Sequence, residues 1–271
     1  MPLPTYRKPL NKLQLRLLGS MYKFRFVTAG LIASSSGANV RVINTRLKVL
    51  LDQEYIGRNY DSSYRIKGRQ ASYYLLPKGI KALSKQDFTI PKVINSLYRD
   101  KQASDDFINH QLGVFRIYVE LKRLYPDTFH FFSRSELKKF DDDEVFPEKL
   151  PDTYLRRIKP SKAQSTPANL FLDYYETSKP FYQHRARIKK YIEYAEEEGW
   201  QDGLSSAPAI LMVCETKPLM RRMLSLARRE LETSFEDIKF LAVTTDDLKS
   251  AKPELPIWQD AYEETSNPVA L

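Results

Sequence analysis

The chain has 271 residues, of which 42% are hydrophobic and 28% charged, a composition that predicts a packed core rather than a disordered chain. A single cysteine, Cys214, excludes an internal disulfide and indicates a reducing compartment, and the apolar runs are too short to span a membrane, so we expect a cytoplasmic protein without membrane contact. The net charge of +9 is unevenly distributed. Residues 1–90 hold 16 Lys and Arg against 4 Asp and Glu, a net charge of +12, whereas the remaining residues have a net charge of −3.

The basic first third, residues 1–90, is predicted to form a winged helix-turn-helix domain. Apolar spacing predicts helices over about 9–23 and 40–53, with Thr28 capping a short helix between them and Gly37 providing a left-handed turn. Asn39 is expected to cap the third helix. The apolar stripe of that helix is expected to be Val40, Ile43, Leu47, Leu50 and Leu51.

A hairpin is predicted directly after the third helix. One strand starts at Tyr55, residues 64–66 and 72–76 are expected to be extended, and Gly68 offers a break between them. Residues 77–79, Pro-Lys-Gly, then open another short helix. The order of helix-turn-helix, hairpin and helix is typical of a winged helix.

Polar side chains on the third helix and the hairpin are the predicted DNA contacts. Arg and Asn bind guanine and adenine edges, while Thr and Lys bind phosphate. A basic module of this kind indicates a polyanionic partner, although a solvated helix face or a protein-docking module would show the same pattern. The predicted DNA-binding residues are Asn39, Arg41, Asn44, Thr45, Arg46, Lys48, Arg58, Arg65, Lys67 and Arg69.

The rest of the chain is predicted to hold a linker over 91–104 that offers a short helical piece at 91–99, an α/β domain over 105–248 and an irregular tail over 249–271. His110 lies on a long helix over 105–125, and we interpret it as a core or interface histidine. Alternating strands and helices between 153 and 243 predict a mixed sheet with helices on its faces. The expected strands are 129–132, 153–158, 168–175, 209–214 and 238–243, and the expected helices are 180–198 and 217–232.

Asp152 and Asp173 are the candidate catalytic and metal-binding residues, because they lie on neighbouring predicted strands. Two such carboxylates suit Mg²⁺, which activates water against a phosphodiester. Nuclease sites of this type also need a lysine about two residues after the second carboxylate, and Tyr175 stands there. Glu176 and Lys179 do not fit the strand alternation. We therefore favour an inactive nuclease-like domain, and expect no cofactor unless an active site binds Mg²⁺.

Four segments form a wider pattern: residues 26–33 before the predicted turn, 73–83 from the wing into the next helix, His110, and Pro151-Asp152 with 170–176 and a Tyr-rich helix over 187–194. This pattern, spread over about 10–248, resembles the replication-relaxation family of plasmid and mobile-element proteins. The resemblance implies a double-strand DNA-binding protein with a second domain similar to the restriction-endonuclease-like, PD-(D/E)-x-K fold. Asp152 and Asp173 match its two acidic positions, and Tyr175 departs from it.

Three functions follow as expectations. The first is a sequence-specific double-stranded DNA-binding accessory protein of plasmid or mobile-element replication, relaxation or transfer, with an inactive nuclease-like domain. The second is a Mg²⁺-dependent DNA endonuclease that uses Asp152 and Asp173. The third is a winged-helix transcriptional repressor or protein-interaction module. Duplex DNA is the expected partner, and a homodimer and contacts with replication or conjugation proteins stay open.

Overall fold

The computed structural model divides the chain into two compact units, Met1–Ala103 and Ser104–Leu271. Each unit is described separately below. The residues that the structure describes are 9–61, 63–66, 68–85, 91–138, 145–158, 168–201, 203–204, 206–234, 238–253, 255–262, 268–269 and 271. Residues 141–144, Asp-Asp-Asp-Glu, form an acidic run that the sequence predicts to be a solvated loop, and they lie outside the described residues.

The N-terminal unit begins with three helices, α1 (Lys12–Phe24), α2 (Ala29–Ser36) and α3 (Val40–Asp52). The caps predicted from the sequence are confirmed: the Thr28 hydroxyl accepts a hydrogen bond from the Leu31 amide, and the Asn39 side chain accepts one from Arg41. Gly37 ends α2 with a φ of 68°, a left-handed conformation that glycine adopts without strain.

A hairpin follows α3, with β1 (Ile56–Asn59) antiparallel to β2 (Ser72–Leu75). The prediction that residues 64–66 are extended is wrong, because α4 (Ser63–Ile66) is a single helical turn. The Asp61 carbonyl accepts from the Tyr64 amide at 2.9 Å, and Gly68 has a φ of 62°. The local hydrogen bond and the left-handed Gly68 therefore favour a turn over an extended strand at residues 64–66.

The next helix, α5 (Pro77–Ser84), begins with the Pro-Lys-Gly sequence that follows β2, and each of these three residues has a structural role there. Pro77 occupies the first turn, where its missing amide proton is not needed. Lys78 Nζ donates to the carbonyl of Gln53, the C-cap of α3, at 2.6 Å and lies 4.3 Å from the centre of the Tyr55 ring. These contacts fasten α5 to the end of α3.

Gly79 is predicted to be intolerant of even one methyl group. A Cβ at this position would lie 2.3 Å from the Tyr55 carbonyl oxygen, which is backbone and cannot rotate away. We expect Gly79→Ala to destabilise the N-terminal unit by about 1–3 kcal/mol. As a control, Gly19→Ala in α1, where no atom lies within 4 Å, should stabilise by about 0.5–1 kcal/mol. Thermal unfolding followed by far-UV circular dichroism distinguishes these outcomes, and equal midpoints would contradict the close contact.

The segment 91–104, predicted as a linker with a short helical piece at 91–99, has that helix and more ordered structure than a linker requires. It contains α6 (Pro91–Leu97) and a 3₁₀ turn (Asp100–Gln102), and belongs to the N-terminal unit. The reason is a buried ion pair: Arg25 Nε donates to both carboxylate oxygens of Asp100, at 3.0 and 2.9 Å. Asp100 is only 2% exposed, and burial raises the pKa of its carboxyl although Arg25 opposes that shift.

The C-terminal unit is built on a mixed six-stranded sheet, which confirms the predicted α/β class. Its strands pair in chain order, with the three central ones parallel and the outer pairs antiparallel. The strands are β3 (Phe129–Ser133), β4 (Thr153–Arg157), β5 (Asn169–Tyr175), β6 (Ala209–Cys214), β7 (Phe240–Thr244) and β8 (Gln259–Asp260).

Helices cover both faces of this sheet. The apolar residues of β6 alternate: Ile210 and Met212 pack into one core, and Leu211 and Val213 into the other. Residues of α9 (Phe181–Glu196) and α10 (Lys217–Glu232) fill the first core. Residues of α7 (Asp105–Leu124) and α11 (Thr245–Ser250) fill the second. The short α8 (Arg134–Leu137) follows β3 directly.

The prediction of an irregular tail over 249–271 is also wrong in part. Trp258 is fully buried, and its indole N–H donates to the Tyr125 hydroxyl at 3.1 Å. Trp258 pairs through the backbone with Val269, and β8 then extends the sheet beside β7. Burying one large aromatic side chain orders a segment that the sequence predicts to be irregular.

Candidate nucleic-acid interface and polar pocket

Helix α3 presents a polar face opposite a fully buried apolar stripe. Ile43, Leu47 and Leu50 have no exposed surface, which confirms the core of the predicted stripe. Val40 departs from that stripe, because it is 43% exposed at the first turn, as is Val42 at 46%. The exposed residues predicted to contact DNA are Asn39, Arg41, Asn44, Thr45 and Lys48, and Arg46 is half-buried.

Two of these polar side chains also serve α3 itself. Asn39 uses its Oδ1 atom to accept from the Arg41 amide at 2.8 Å, and the Thr45 hydroxyl donates to the Arg41 carbonyl at 3.0 Å. Their capacity to bind another molecule is therefore smaller than that of Arg41, Asn44 and Lys48. The α3 face is defined below as Arg41, Asn44 and Lys48.

The hairpin adds exposed arginines that lie over aromatic rings. The Arg58 guanidinium lies 5.2 Å from the centre of the Tyr60 ring, and that of Arg69 lies 6.0 Å from the Tyr64 ring. Both arginines are exposed. Lys67 and the side chain of Arg65, which are also predicted contacts, lie outside the described residues.

In the C-terminal unit, the structure brings Asp152 and Asp173 together, as the sequence predicts. Asp152 precedes β4, and its amide donates to Asp173 Oδ1 on β5 at 3.0 Å. Both carboxylates are buried, with 6% and 4% of their surface exposed. They line a cavity of about 220 Å³, the polar pocket, together with His110, Arg134, Lys149, Tyr174, Tyr175, Lys179, Gln183, His184 and Arg187.

Both oxygens of Asp152 have protein donors. Oδ1 lies 3.1 Å from His110 Nε2 and 2.9 Å from the Arg134 guanidinium, and Oδ2 accepts from the Tyr174 amide at 3.0 Å. Burial alone would raise the pKa of Asp152, but the positive charges of His110 and Arg134 outweigh burial and lower it. Asp152 is therefore held as a carboxylate by protein cations.

Asp173 is bound in a similar way from helix α9. Arg187 Nε donates to Asp173 Oδ2, its terminal nitrogen lies 3.3 Å from Oδ1, and the Tyr191 hydroxyl donates to Oδ2 at 2.8 Å. Arg187 is only 5% exposed, and it also donates to Tyr191 and to the Lys149 carbonyl. Burial would lower the pKa of Arg187, but Asp173 outweighs burial and raises it.

Sequence reasoning assigned neither His110, Glu176 and Lys179 nor the basic residues Arg134, Lys149 and Arg187 to this cluster. His110 is buried, as predicted, but its Nδ1 lies 2.7 Å from Glu176 Oε2, and Lys179 Nζ lies 3.0 Å from the same oxygen. Strand alternation, which separates Glu176 from Asp173, stops at the end of β5. The loop after Tyr175 then turns Glu176 and Lys179 towards His110. Burial would raise the pKa of Glu176, but the hydrogen bond from His110 outweighs it and lowers the pKa.

The donor set does not suit a metal ion as it is arranged. A hard dication needs several free carboxylate or carbonyl oxygens, whereas the oxygens of Asp152 and Asp173 already accept from arginines, a histidine and a tyrosine. Within the described part of the chain, the His, Cys, Asp and Glu side chains form no group of three or more that is arranged to hold a metal. Mg²⁺ would have to displace protein cations to bind these carboxylates.

His110 makes folding stability depend on pH. Burial and the Lys179 ammonium, whose Nζ lies 2.9 Å from His110 Nδ1, would lower the pKa of His110, but attraction to Asp152 and hydrogen bonds to Asp152 and Glu176 outweigh them and raise it to about 9. Between pH 6.5 and about 9, His110 is protonated in the folded protein but neutral in the unfolded chain. The stabilisation is therefore complete below pH 6.5 and is lost as the pH rises to about 9.

We expect the free energy of unfolding to fall by roughly 3 kcal/mol across that pH range. Urea unfolding followed by tryptophan fluorescence measures it, because Trp200 and Trp258, the two tryptophans of the chain, both belong to the C-terminal unit. His110→Gln should flatten the pH profile, and His130→Gln, at an exposed position, should not. An unchanged profile in His110→Gln would mean that His110 is neutral.

These features define a two-unit α/β protein: a basic helical unit with a hairpin, and a mixed-sheet unit with a polar pocket. Residues 18–206 match the family model described as replication-relaxation, which is more than half of the chain, and the chain belongs to that family. The family points to a role in plasmid or mobile-element replication or relaxation. No curated protein matches the chain. In the described residues, none of the helices has the length and apolar character needed to cross a membrane.

Proposed function

We propose that the protein is a sequence-specific duplex-DNA-binding accessory factor of plasmid or mobile-element replication, relaxation or transfer, and that the N-terminal unit is a winged helix that binds the DNA. The observation that carries this proposal is the α3 face. Arg41, Asn44 and Lys48 are exposed, while the opposite side of the same helix is sealed in the core. A helix of this kind presents side chains to base edges and phosphates in a major groove.

Two further features support this proposal. Residues 1–90 carry a net charge of +12, so the unit that holds the α3 face is also the one that attracts a polyanion. The hairpin places Arg58 and Arg69 on exposed surface, where arginine side chains suit the DNA backbone or a narrow minor groove. The α3 face supplies base contacts in this scheme, and the hairpin supplies positioning contacts.

Binding should weaken steeply with salt, because each phosphate that a Lys or Arg neutralises releases a counterion. If Arg41, Lys48, Arg58 and Arg69 each contact one phosphate or its equivalent, the slope of log K against log salt is about −3 to −4. Fluorescence anisotropy with a labelled mixed-sequence duplex measures it. A slope near zero, or no binding at low salt, would overturn the proposal.

We also propose that the nuclease-like unit does not cleave DNA, because its two predicted metal ligands bind protein cations. The second candidate, a Mg²⁺-dependent endonuclease, is favoured only by the adjacency of Asp152 and Asp173. Incubation of supercoiled plasmid with the protein and Mg²⁺ or Mn²⁺ tests it. Nicking that Asp173→Ala abolishes would establish the endonuclease, and nicking that survives this change would indicate a contaminant or another site.

A further inference from the structure

The polar pocket of the C-terminal unit has an excess of positive charge. Arg134, Lys149, Lys179 and Arg187 line it, together with His110. Opposing them are Asp152 and Asp173 in the lining, and Glu176 behind His110. The balance therefore favours an anion over a metal cation.

Three of these cations have donors to spare. Arg134 uses Nε for the Pro151 carbonyl and Nη2 for the Leu150 carbonyl and Asp152, which leaves Nη1, and 39% of its side chain is exposed. Lys179 Nζ contacts Glu176 and His110 Nδ1, which leaves one N–H, and 34% of its side chain is exposed. Among the described residues, the Lys149 amine makes no ion pair. Burial lowers the pKa of Lys149, and the positive charge of Arg187 adds to this shift. An anion placed here would relieve the repulsion between these cations.

A neutral donor in the same pocket also lacks a partner. Tyr175 lines the pocket and is 2% exposed, and its hydroxyl is buried without a hydrogen-bond partner among the described residues. A buried hydroxyl without a partner costs on the order of 1–3 kcal/mol, so such groups mark places where a ligand or water completes the structure. Tyr175 stands where a metal-dependent nuclease would carry its lysine, and a tyrosine there supplies a donor without a charge.

We infer that the polar pocket binds a phosphate group, with Arg134, Lys149 and Lys179 as the charged donors and the Tyr175 hydroxyl as a neutral donor. The buried carboxylates position these donors, because Asp152 fixes Arg134 and Glu176 fixes Lys179. The cavity, about 220 Å³, is smaller than the roughly 300–1,000 Å³ of sites for drug-sized ligands. It therefore suits a phosphate with little of the molecule attached to it, as in a phosphorylated strand end or a small phosphomonoester.

Titration calorimetry of the full chain tests this inference with inorganic phosphate, thymidine monophosphate, thymidine as the phosphate-free control, and a single-stranded oligonucleotide with or without a 5′-phosphate. We expect phosphate and the monophosphate to bind, and thymidine not to bind. An oligonucleotide that gains at least about tenfold in affinity from its 5′-phosphate would identify a strand end as the source. Equal affinity for all phosphate probes would identify a small phosphomonoester or free phosphate.

Variants locate the site. Lys149→Met and Lys179→Met should each weaken phosphate binding about tenfold, and Tyr175→Phe should weaken it severalfold without lowering stability, since it removes only the unpartnered hydroxyl. Lys190→Met, on α9 but outside the pocket lining, is the matched control and should bind as the wild type does. Absence of phosphate binding, or binding that these pocket variants leave unchanged, would overturn the inference.

The test of phosphate binding in the polar pocket is independent of the test of DNA binding by the α3 face. A chain with Arg41→Glu and Lys48→Glu should bind inorganic phosphate as well as the wild type does, because both changes lie in the other unit. Binding of Mn²⁺ in the pocket, detected by its loss in Asp173→Asn, together with no binding of phosphate, would identify a metal site and contradict the inference.

Discussion

Reversing two charges on the α3 face, Arg41→Glu and Lys48→Glu, is expected to reduce affinity for duplex DNA by at least two orders of magnitude. Each base or phosphate contact of this kind is worth about 1–3 kcal/mol, and each reversal adds repulsion from the phosphates. Both side chains are exposed, and the residues by which α3 packs are Ile43, Leu47 and Leu50 instead, so the fold should be unaffected. Anisotropy titrations and a far-UV circular dichroism spectrum of the double variant measure the two expectations.

The matched control changes the net charge of the chain by the same amount at a different place. Lys189→Glu with Lys190→Glu alters two exposed lysines on α9 in the C-terminal unit. This double variant should keep most of the affinity for duplex DNA, because it weakens long-range attraction to the phosphates but removes no contact in a groove. Equal losses in the two double variants would show that overall charge, and not the α3 face, determines binding.

Removing Arg187 is expected to have the largest effect on stability. In Arg187→Met, the carboxylate of Asp173 keeps its burial but loses the guanidinium that neutralises it. Breaking a buried pair from one side costs about 3–5 kcal/mol. Urea unfolding followed by tryptophan fluorescence reports this loss, since both tryptophans belong to the C-terminal unit.

A second variant separates the unpaired charge from lost packing. Asp173→Asn combined with Arg187→Met removes both charges, and it should recover a large part of the stability that Arg187→Met loses. Tyr191 still has an oxygen to donate to in the double variant. A double variant no more stable than Arg187→Met would show that the arginine acts through packing on the Tyr191 ring, which lies 4.3 Å from its guanidinium.

The two faces of α3 could be predicted because both follow from one local repeat. Ile43, Leu47 and Leu50 recur at helical spacing, and the polar residues between them must then face away. The caps at Thr28 and Asn39 were equally predictable, since they depend on side chains bonding their own helix. The strands and helices of the C-terminal unit also follow from short apolar runs.

The polar pocket could be predicted only in part, because its contacts join distant residues. Asp152 and Asp173 follow from neighbouring strands, but His110 reaches them from a helix 42 residues before Asp152. Arg187 pairs with Asp173 only because α9 returns over the sheet, and Arg25 pairs with Asp100 across 75 residues. Sequence periodicity carries no information about such pairs. It therefore predicts only the two aspartates of this pocket, and in 91–102 it predicts a short helix but not the ion pair that holds the segment.

The most direct test is a photo-crosslink from α3 to duplex DNA. Cys214, the single cysteine, is fully buried, so a cysteine introduced at Val42 is the accessible one to label with a photoreactive group. Tyr182→Cys, at a 70% exposed position in α9, is the control. We predict that the label at position 42 crosslinks to DNA and the label at 182 does not. Crosslinking from position 182 with none from position 42 would contradict DNA binding through the N-terminal unit.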